Sequence, residues 1–133
     1  MRKIAILGGT GIQDPSQKNQ LEALTIQTPF GPAFCEKGSI YGNQVVFLAR
    51  HGKGHSVPPH KINYRANIWA LKYLGTEEIL ATAAVGSANK QMIPGSFVVC
   101  DQILDFTKNR VNTFYNGQKN LVAHVDFTNP YCP

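Results

Sequence analysis

The chain has 133 residues, a net charge of +5 and a hydrophobic fraction of 43%, enough material for one globular domain with a core. No apolar run approaches the roughly 18 residues of a membrane span, and the run after Met1 is too short for a signal peptide. We therefore expect a cytoplasmic protein without membrane contact. The basic residues are scattered, which argues against nucleic-acid binding, and three cysteines without close spacing indicate no disulfide framework or zinc site.

Strands are predicted in the first fifty residues. A short apolar run at residues 3–7, followed by two glycines, predicts a buried first strand. A second strand is expected over residues 21–27. The runs at residues 33–40 and 44–50 flank the sequence Tyr41-Gly42-Asn43, and this pattern predicts a β-hairpin.

The middle of the chain predicts one helix between strands. Asn63 is placed to cap a helix over residues 64–74, and Gly75 is placed to end it. Apolar residues at 78–85 predict a further strand. Residues 95–106 predict another, with Cys100 buried in its interior. Beyond these elements the pattern weakens into turns.

The predicted fold class is α/β, a mixed β-sheet flanked by helices within a single domain over residues 1–133. The near-continuous apolar run at residues 79–85 is typical of a central strand that is covered on both faces. One helix cannot cover both faces of a five- or six-stranded sheet. We therefore expect the domain to be incomplete, and its missing cover to come from a C-terminal half or from a partner chain.

The first candidate site is the sequence LGGTGI at residues 7–12, directly after the first strand. Gly9 and Gly11 allow a tight turn that brings backbone N–H groups close to an anion, and Thr10 adds a hydroxyl donor. The spacing matches neither a Walker loop nor a dinucleotide-binding fingerprint. A simple glycine-rich turn explains the motif equally well.

The second candidate is the sequence RHGKGH at residues 50–55. The planar fork of Arg50 suits phosphate oxygens, and His51 offers a further hydrogen bond. A metal site built from His51, His55 and His60 is disfavoured, because their spacing is unfamiliar and no carboxylate or cysteine lies among them. An ordinary surface loop with scattered histidines is the remaining alternative.

The third candidate is the sequence ATAAVGS at residues 81–87. Small residues at the carboxyl end of a strand allow a ligand to lie against the backbone, and open α/β sheets bind ligands at this edge. Packing of small residues under a helix is the alternative. Together, the three strand ends could converge on one phosphate.

The order of these motifs resembles the methylthioadenosine phosphorylases, a branch of the trimeric purine nucleoside phosphorylases. The resemblance covers essentially the whole chain and also includes TPFG at residues 28–31, PHKINYRANIWAL at 59–71, FYNG at 114–117 and NPYCP at 129–133. It implies phosphorolysis of a purine nucleoside to the free purine and a pentose 1-phosphate. Inorganic phosphate is then a co-substrate, and no other cofactor or metal is expected.

The resemblance also implies residue roles. Thr10, Arg50 and His51 would bind phosphate, and Ala83 and Ala84 would add backbone contacts. The supporting phosphate loop would contain Gly9, Gly11 and His55. His124 matches a histidine that reaches the 5′ pocket of a neighbouring subunit, so a homo-oligomer, a trimer or hexamer, is expected.

Two departures from the family pattern limit these implications. Ala83 stands where methylthioadenosine-type members often have threonine, so only its backbone can contact phosphate. The family chain is about twice as long, and its second half supplies the residues that read the purine. A 6-oxopurine nucleoside phosphorylase, or a catalytically inactive remnant that binds phosphate or assists assembly, therefore remains an alternative.

Overall fold

The computed structural model describes residues 2–9, 21–117 and 121–132. The chain divides into two compact units, Met1–Ala84 and Val85–Pro133. In the described residues, regular strands and the α-helix all belong to the first unit.

The first unit is built on a mixed five-stranded sheet. Its strands are β1 (Ile4–Gly8), β2 (Glu22–Thr28), β3 (Gly31–Ile40), β4 (Asn43–Ala49) and β5 (Glu78–Ala81). They lie in the order β2-β3-β4-β1-β5. Strand β1 pairs parallel with β4 and β5, whereas β3 pairs antiparallel with β2 and β4. The predicted mixed sheet is confirmed.

The predicted hairpin joins β3 to β4 through a two-residue turn. Tyr41 and Gly42 have φ angles of 48° and 78°, and Ile40 pairs with Asn43 across the strands. Positive φ at both turn residues matches the right-handed twist of the flanking strands. The turn therefore uses a glycine at one position and tolerates a strained tyrosine at the other.

The single α-helix of the described residues, α1, spans Tyr64–Tyr73, one residue shorter than predicted. The Asn63 side chain accepts a hydrogen bond from the Ala66 amide at 3.1 Å, so it is the expected N-cap. At the other end the chain reverses through Gly75, which has a φ of 74°. The amides of Gly75 and Thr76 bond back to the last helical turn, as in a Schellman motif.

Helix α1 covers one face of the sheet. Alternate residues of β1, β3 and β4 point toward it, as the two-residue period of a strand requires. The resulting core cluster contains Ala5, Ala33, Cys35, Val46, Leu48, Ala66, Ala70 and Leu71. On the opposite face, the side chains of Val45 and Phe47 are also buried.

The last strand differs from its prediction. Strand β5 ends at Ala81 rather than at residue 85, and it lies at the edge of the sheet with all four residues exposed. The predicted end at residue 85 is wrong, whereas the exposure of β5 agrees with the expectation that the cover for this apolar run is missing from the chain. The apolar run indicates that the strand is suited to burial, but β1 is its only partner among the described residues.

The second unit also corrects a prediction. No strand or helix is formed in residues 85–117 or 121–132, so the strand predicted over residues 95–106 is absent there. Cys100 is exposed rather than buried, and Phe97 and Val99 are almost fully exposed. A β-like apolar segment favours a strand only where a second strand pairs with it, and no described residue pairs with this segment as a strand.

Candidate phosphate site

Three neighbouring strands end at one edge of the sheet. Because β4, β1 and β5 are parallel, their carboxyl ends meet there. The Arg50 amide donates to the Gly8 carbonyl at 3.1 Å, and the Thr82 amide donates to the Leu7 carbonyl at 3.1 Å. Backbone pairing therefore continues one residue beyond β4 and β5. It brings the motifs at residues 50–55 and 81–87 beside the start of the motif at residues 7–12.

The guanidinium of Arg50 lies across this edge. Its Nη1 donates a hydrogen bond to the backbone carbonyl of Thr82. A Cβ atom built on Gly9 would lie only 2.6 Å from Arg50 Nη2. A larger residue at position 9 would therefore have to displace the arginine side chain from this position.

His51 is fixed by a reciprocal pair of hydrogen bonds. Its Nδ1 lies 3.0 Å from the Val57 carbonyl oxygen, and the Val57 amide donates to the His51 carbonyl at 2.8 Å. A carbonyl oxygen only accepts, so Nδ1 carries the hydrogen of this bond. The two bonds close the loop of residues 51–57 and leave Nε2 as the ring nitrogen for an outside contact.

His55 packs against this arrangement from within the same loop. Its ring stacks on that of His51 with centroids 4.5 Å apart and an interplanar angle of 29°. The loop turns through Gly52 and Gly54, with φ angles of 71° and 68°, and His55 itself has a φ of 61°. A non-glycine residue in this conformation is uncommon, and here it places the second imidazole against the first.

The third strand end contributes a residue that the sequence did not single out. Thr82 supplies the carbonyl that receives Arg50, and its own hydroxyl oxygen is buried without a hydrogen-bond partner in the described part of the chain. The predicted residues Ala83 and Ala84 follow it and are exposed. The only sequence signal for Thr82 is its position directly after a strand.

The electrostatics of this edge suit an anion. The loop after β4 carries Arg50 and Lys53, and it lies within residues 37–76. Residues 37–76 contain no aspartate or glutamate. The loop that carries Arg50 and His51 is therefore basic and has no acidic neighbour in sequence. Positive charge in this loop favours the binding of small anions.

Other predicted site residues are not brought into this cluster by the described structure. Thr10 and Gly11 lie outside the described residues. His124 is exposed and belongs to the second unit, so its assignment to a 5′ pocket stays a prediction. Across the described ranges, no group of three His, Cys, Asp or Glu side chains is placed to hold a metal ion, and no helix is long and apolar enough to cross a membrane.

Comparison with known proteins identifies the class. The family model of the phosphorylase superfamily matches residues 3–133, and the chain belongs to this family. Its fold matches that of nucleoside phosphorylases within this family.

The relatives narrow the class further. The chain is 56% identical to a probable 6-oxopurine nucleoside phosphorylase of Thermococcus kodakarensis, covering 100% of this chain and 52% of that protein. It is 48% identical to an S-methyl-5′-thioadenosine phosphorylase of Thermofilum pendens, covering 98% and 50%. Methylthioadenosine phosphorylase from Schistosoma mansoni, solved with adenine, superposes with a TM-score of 0.88 at 41% identity, covering 99% and 50%.

These matches define the chain as a relative of purine nucleoside phosphorylases. The chain spans about half the length of the relatives it matches. The family resemblance stated from the motifs is therefore confirmed, and so is the expectation that the chain corresponds to only part of the family fold.

Proposed function

We propose that this chain supplies the phosphate-binding half-site of a purine nucleoside phosphorylase. The observation that carries the proposal is the guanidinium of Arg50, which lies over Gly9 and against the Thr82 carbonyl with His51 beside it. This arrangement orients a charged fork at a basic strand edge before any ligand is bound. Preorganised donors of this kind bind and position phosphate with little reorganisation.

Each predicted residue has a role in this proposal. Arg50 and His51 hold the phosphate oxygens, together with the hydroxyl of Thr10. The backbone at Ala83 and Ala84 contributes N–H donors at the end of β5. The supporting loop is formed by Gly9, Gly11 and His55, of which Gly9 admits the arginine and His55 buttresses the ring of His51.

The reaction follows from where the phosphate is held. A phosphate oxygen attacks the anomeric carbon of the pentose as the bond from that carbon to the purine nitrogen breaks. The products are a pentose 1-phosphate and the free purine, which takes up a proton. Positive charge develops on the sugar in the transition state, so a fixed phosphate anion both attacks it and stabilises it.

The leading substrate is 5′-methylthioadenosine. The chain is 48–50% identical to several S-methyl-5′-thioadenosine phosphorylases, and it superposes on solved structures of that enzyme. A place in methionine and purine salvage would follow. A neighbouring subunit's copy of His124 would then approach the 5′ substituent.

A 6-oxopurine nucleoside is the second candidate substrate. The observation in its favour is the 56% identity to a 6-oxopurine nucleoside phosphorylase of Pyrococcus furiosus, which exceeds the identity to the methylthioadenosine enzymes. Both classes share the phosphate chemistry described above. The choice between them depends on residues that contact the purine, which the family carries in its second half.

The proposal also covers the oligomeric state, the cellular location and the cofactor requirement. The chain acts as part of a single nucleoside phosphorylase domain, in a trimer or hexamer or with a complementing C-terminal half, in the cytoplasm. No cofactor besides the co-substrate phosphate takes part. The rival function is an inactive remnant that binds phosphate or assists assembly, and the exposed apolar side chains Ile79 and Leu80 of β5 support an assembly role.

The test is purine release from methylthioadenosine, adenosine and inosine by the chain, with and without phosphate. Phosphate-dependent release that Arg50→Ala abolishes, but Arg65→Ala does not, supports the proposal. Arg65 is a matched control because its guanidinium lies 4.6 Å from the Phe30 ring centroid rather than at the strand edge. Purine release that does not depend on phosphate would contradict the proposal. Faster release from methylthioadenosine than from inosine would favour the methylthioadenosine class, and the reverse would favour the 6-oxopurine class.

A further inference from the structure

Strand β5 contains little that would fix its position along β1. It has four residues, and all of them are exposed. Its two large apolar side chains, Ile79 and Leu80, are adjacent in sequence and so point to opposite faces of the sheet. The register of a strand is strongly specified where one of its faces is buried. The alignment that sets Ala81 beside Leu7 therefore needs a constraint from outside the strand.

Lys3 supplies such a constraint at the amino end of β5. Its ammonium donates a hydrogen bond to the Leu74 carbonyl, at the end of α1, at 2.7 Å. Its backbone carbonyl accepts a hydrogen bond from the Glu77 amide at 2.9 Å. One residue thus holds the connection between α1 and β5 at two points, and the next residue of the connection, Glu78, pairs beside Ile4.

The charge of Lys3 suits the end of the helix. The last carbonyls of an α-helix lack partners within the helix and carry partial negative charge, so a cation there is favourable. Lys37 lines the same small cleft beside Leu74, but its ammonium pairs with Glu22 at 3.2 Å. Lys3, which is half-buried, is therefore the lysine of this cleft that bonds to the end of α1.

We propose that Lys3 is a positioning residue for the strand-edge site, because it sets the register of β5 and thereby places the Thr82 carbonyl at the guanidinium of Arg50. Thr82 lies four residues beyond Glu78, roughly 13 Å along the strand. A slip of one residue would move each carbonyl by about 3.3 Å and put one of opposite direction in its place. The hydrogen bond from Arg50 Nη1 would then be lost. The consequence for phosphate rests on the proposed function, whereas the consequence for β5 does not.

Hydrogen exchange of the Thr82 amide tests the effect on β5 without any ligand. This amide donates to the Leu7 carbonyl at 3.1 Å, so its protection reports the pairing of the two strands. Lys3→Met keeps the apolar stem but removes the donor, and it should accelerate the exchange about tenfold, as for a lost bond to a charged donor. Lys3→Arg keeps a charged donor and should restore protection. Lys3→Gln is a milder change with the same expected direction as Lys3→Met.

Two control variants separate positioning from general effects. Lys72→Met removes another cation from the last turn of α1, and the Thr82 amide should stay protected because the bond from Lys3 remains. Asn63→Ala weakens α1 at its other end. It should leave the exchange of the Thr82 amide unchanged relative to the amides of β1. Equal acceleration in Asn63→Ala and Lys3→Met would show a loss of stability without positioning, and would overturn the inference.

Calorimetry with inorganic phosphate measures the consequence for the site. Lys3→Met should bind phosphate at least about fivefold more weakly, and the same change should have almost no further effect in a chain that carries Arg50→Ala. An unchanged Thr82 amide in folded Lys3→Met, or unchanged phosphate affinity when its protection is lost, would overturn the inference and leave the phosphate site standing. Absence of phosphate binding by the wild-type chain would overturn both, because no site would then be positioned.

Discussion

The side chain of Arg50 donates to the backbone carbonyl of Thr82 across the end of the strand that separates them. Arg50 follows β4, Thr82 follows β5, and β1 lies between these two strands. The guanidinium lies across the end of β1, in the space that a side chain at Gly9 would enter. Residues that are far apart in sequence thus fix the direction of one charged group before a ligand arrives.

Replacement of Gly9 by alanine should displace this guanidinium. The added Cβ would approach Arg50 Nη2 to 2.6 Å, and the arginine must move away from the Thr82 carbonyl. We expect phosphate affinity to fall by about fivefold or more, as for the loss of a charge-assisted hydrogen bond of ~1 kcal/mol or more. Calorimetric titration with phosphate measures this loss of affinity.

A double-mutant cycle is the control for that prediction. In a chain that already carries Arg50→Ala, the change Gly9→Ala should have almost no further effect on phosphate affinity, because the group it displaces is gone. Additive losses would show that Gly9 acts through something other than Arg50.

Asn63 joins helix α1 to the turn between β2 and β3. Its Oδ1 accepts from the Ala66 amide, and its Nδ2 donates to the Phe30 carbonyl at 2.6 Å. Asn63→Ala should lower the free energy of unfolding by about 1–2 kcal/mol, as for a lost N-cap. Asn63→Asp keeps the cap acceptor but not the donor, so it should cost less. Urea denaturation measures both, and an aspartate as harmful as alanine would refute the capping role.

Cys35 should resist thiol reagents. Burial raises the pKa of its thiol to about 11, so almost no reactive thiolate is present at pH 8. Mass spectrometry after alkylation should find Cys100 and Cys132 modified, since both are exposed, and Cys35 modified only in the unfolded chain. Because the folded pKa lies above the unfolded value of about 8.5, the stability contributed by the neutral thiol is lost as pH rises toward 11. Rapid labelling of Cys35 in the native chain would contradict its burial.

The pKa of the Asp126 carboxyl should depend on Thr128. The Thr128 hydroxyl and amide donate to Asp126 Oδ1 at 2.6 Å and 2.9 Å, and these bonds lower the pKa of the carboxyl. Thr128→Val should raise that pKa part of the way to its ordinary value, since the amide bond remains. The stability from this carboxylate is present above the ordinary carboxyl pKa and is lost as pH falls through the lowered one.

A carbon-13 titration of the carboxyl groups measures this shift. Asp105, whose pKa is lowered in the same way by Thr107, is the internal control and should not respond to Thr128→Val. An unchanged pKa for Asp126 would mean that the backbone amide alone sets its acidity.

The local elements of the fold were readable from the sequence because short-range chemistry determines them. The two-residue turn at Tyr41 and Gly42 and the Asn63 cap both depend on residues within a few positions. The end of β5 and the predicted strand at residues 95–106 differ from the structure for the opposite reason. Their apolar character is real, but pairing and cover depend on parts of the fold that are distant in sequence.

Part of the candidate site was likewise predictable from the sequence, and part of it was not. Glycines and an Arg–His pair after predicted strands indicated an anion site at a common sheet edge, and the parallel strands bring Gly9, Arg50 and His51 to that edge. Thr82 was missed because it acts through a backbone carbonyl, which every residue carries. The tautomer of His51 was also beyond the sequence, because it depends on how the loop returns at Val57.

The most direct test of the central claim is phosphate binding by the chain and by two arginine variants, measured by calorimetry at fixed pH and salt. The account predicts that wild type and Arg65→Ala bind phosphate alike, whereas Arg50→Ala loses at least ~1 kcal/mol of binding free energy. Equal phosphate affinity in wild type and Arg50→Ala, with the variant still folded, would contradict the assignment of this strand edge as the phosphate site.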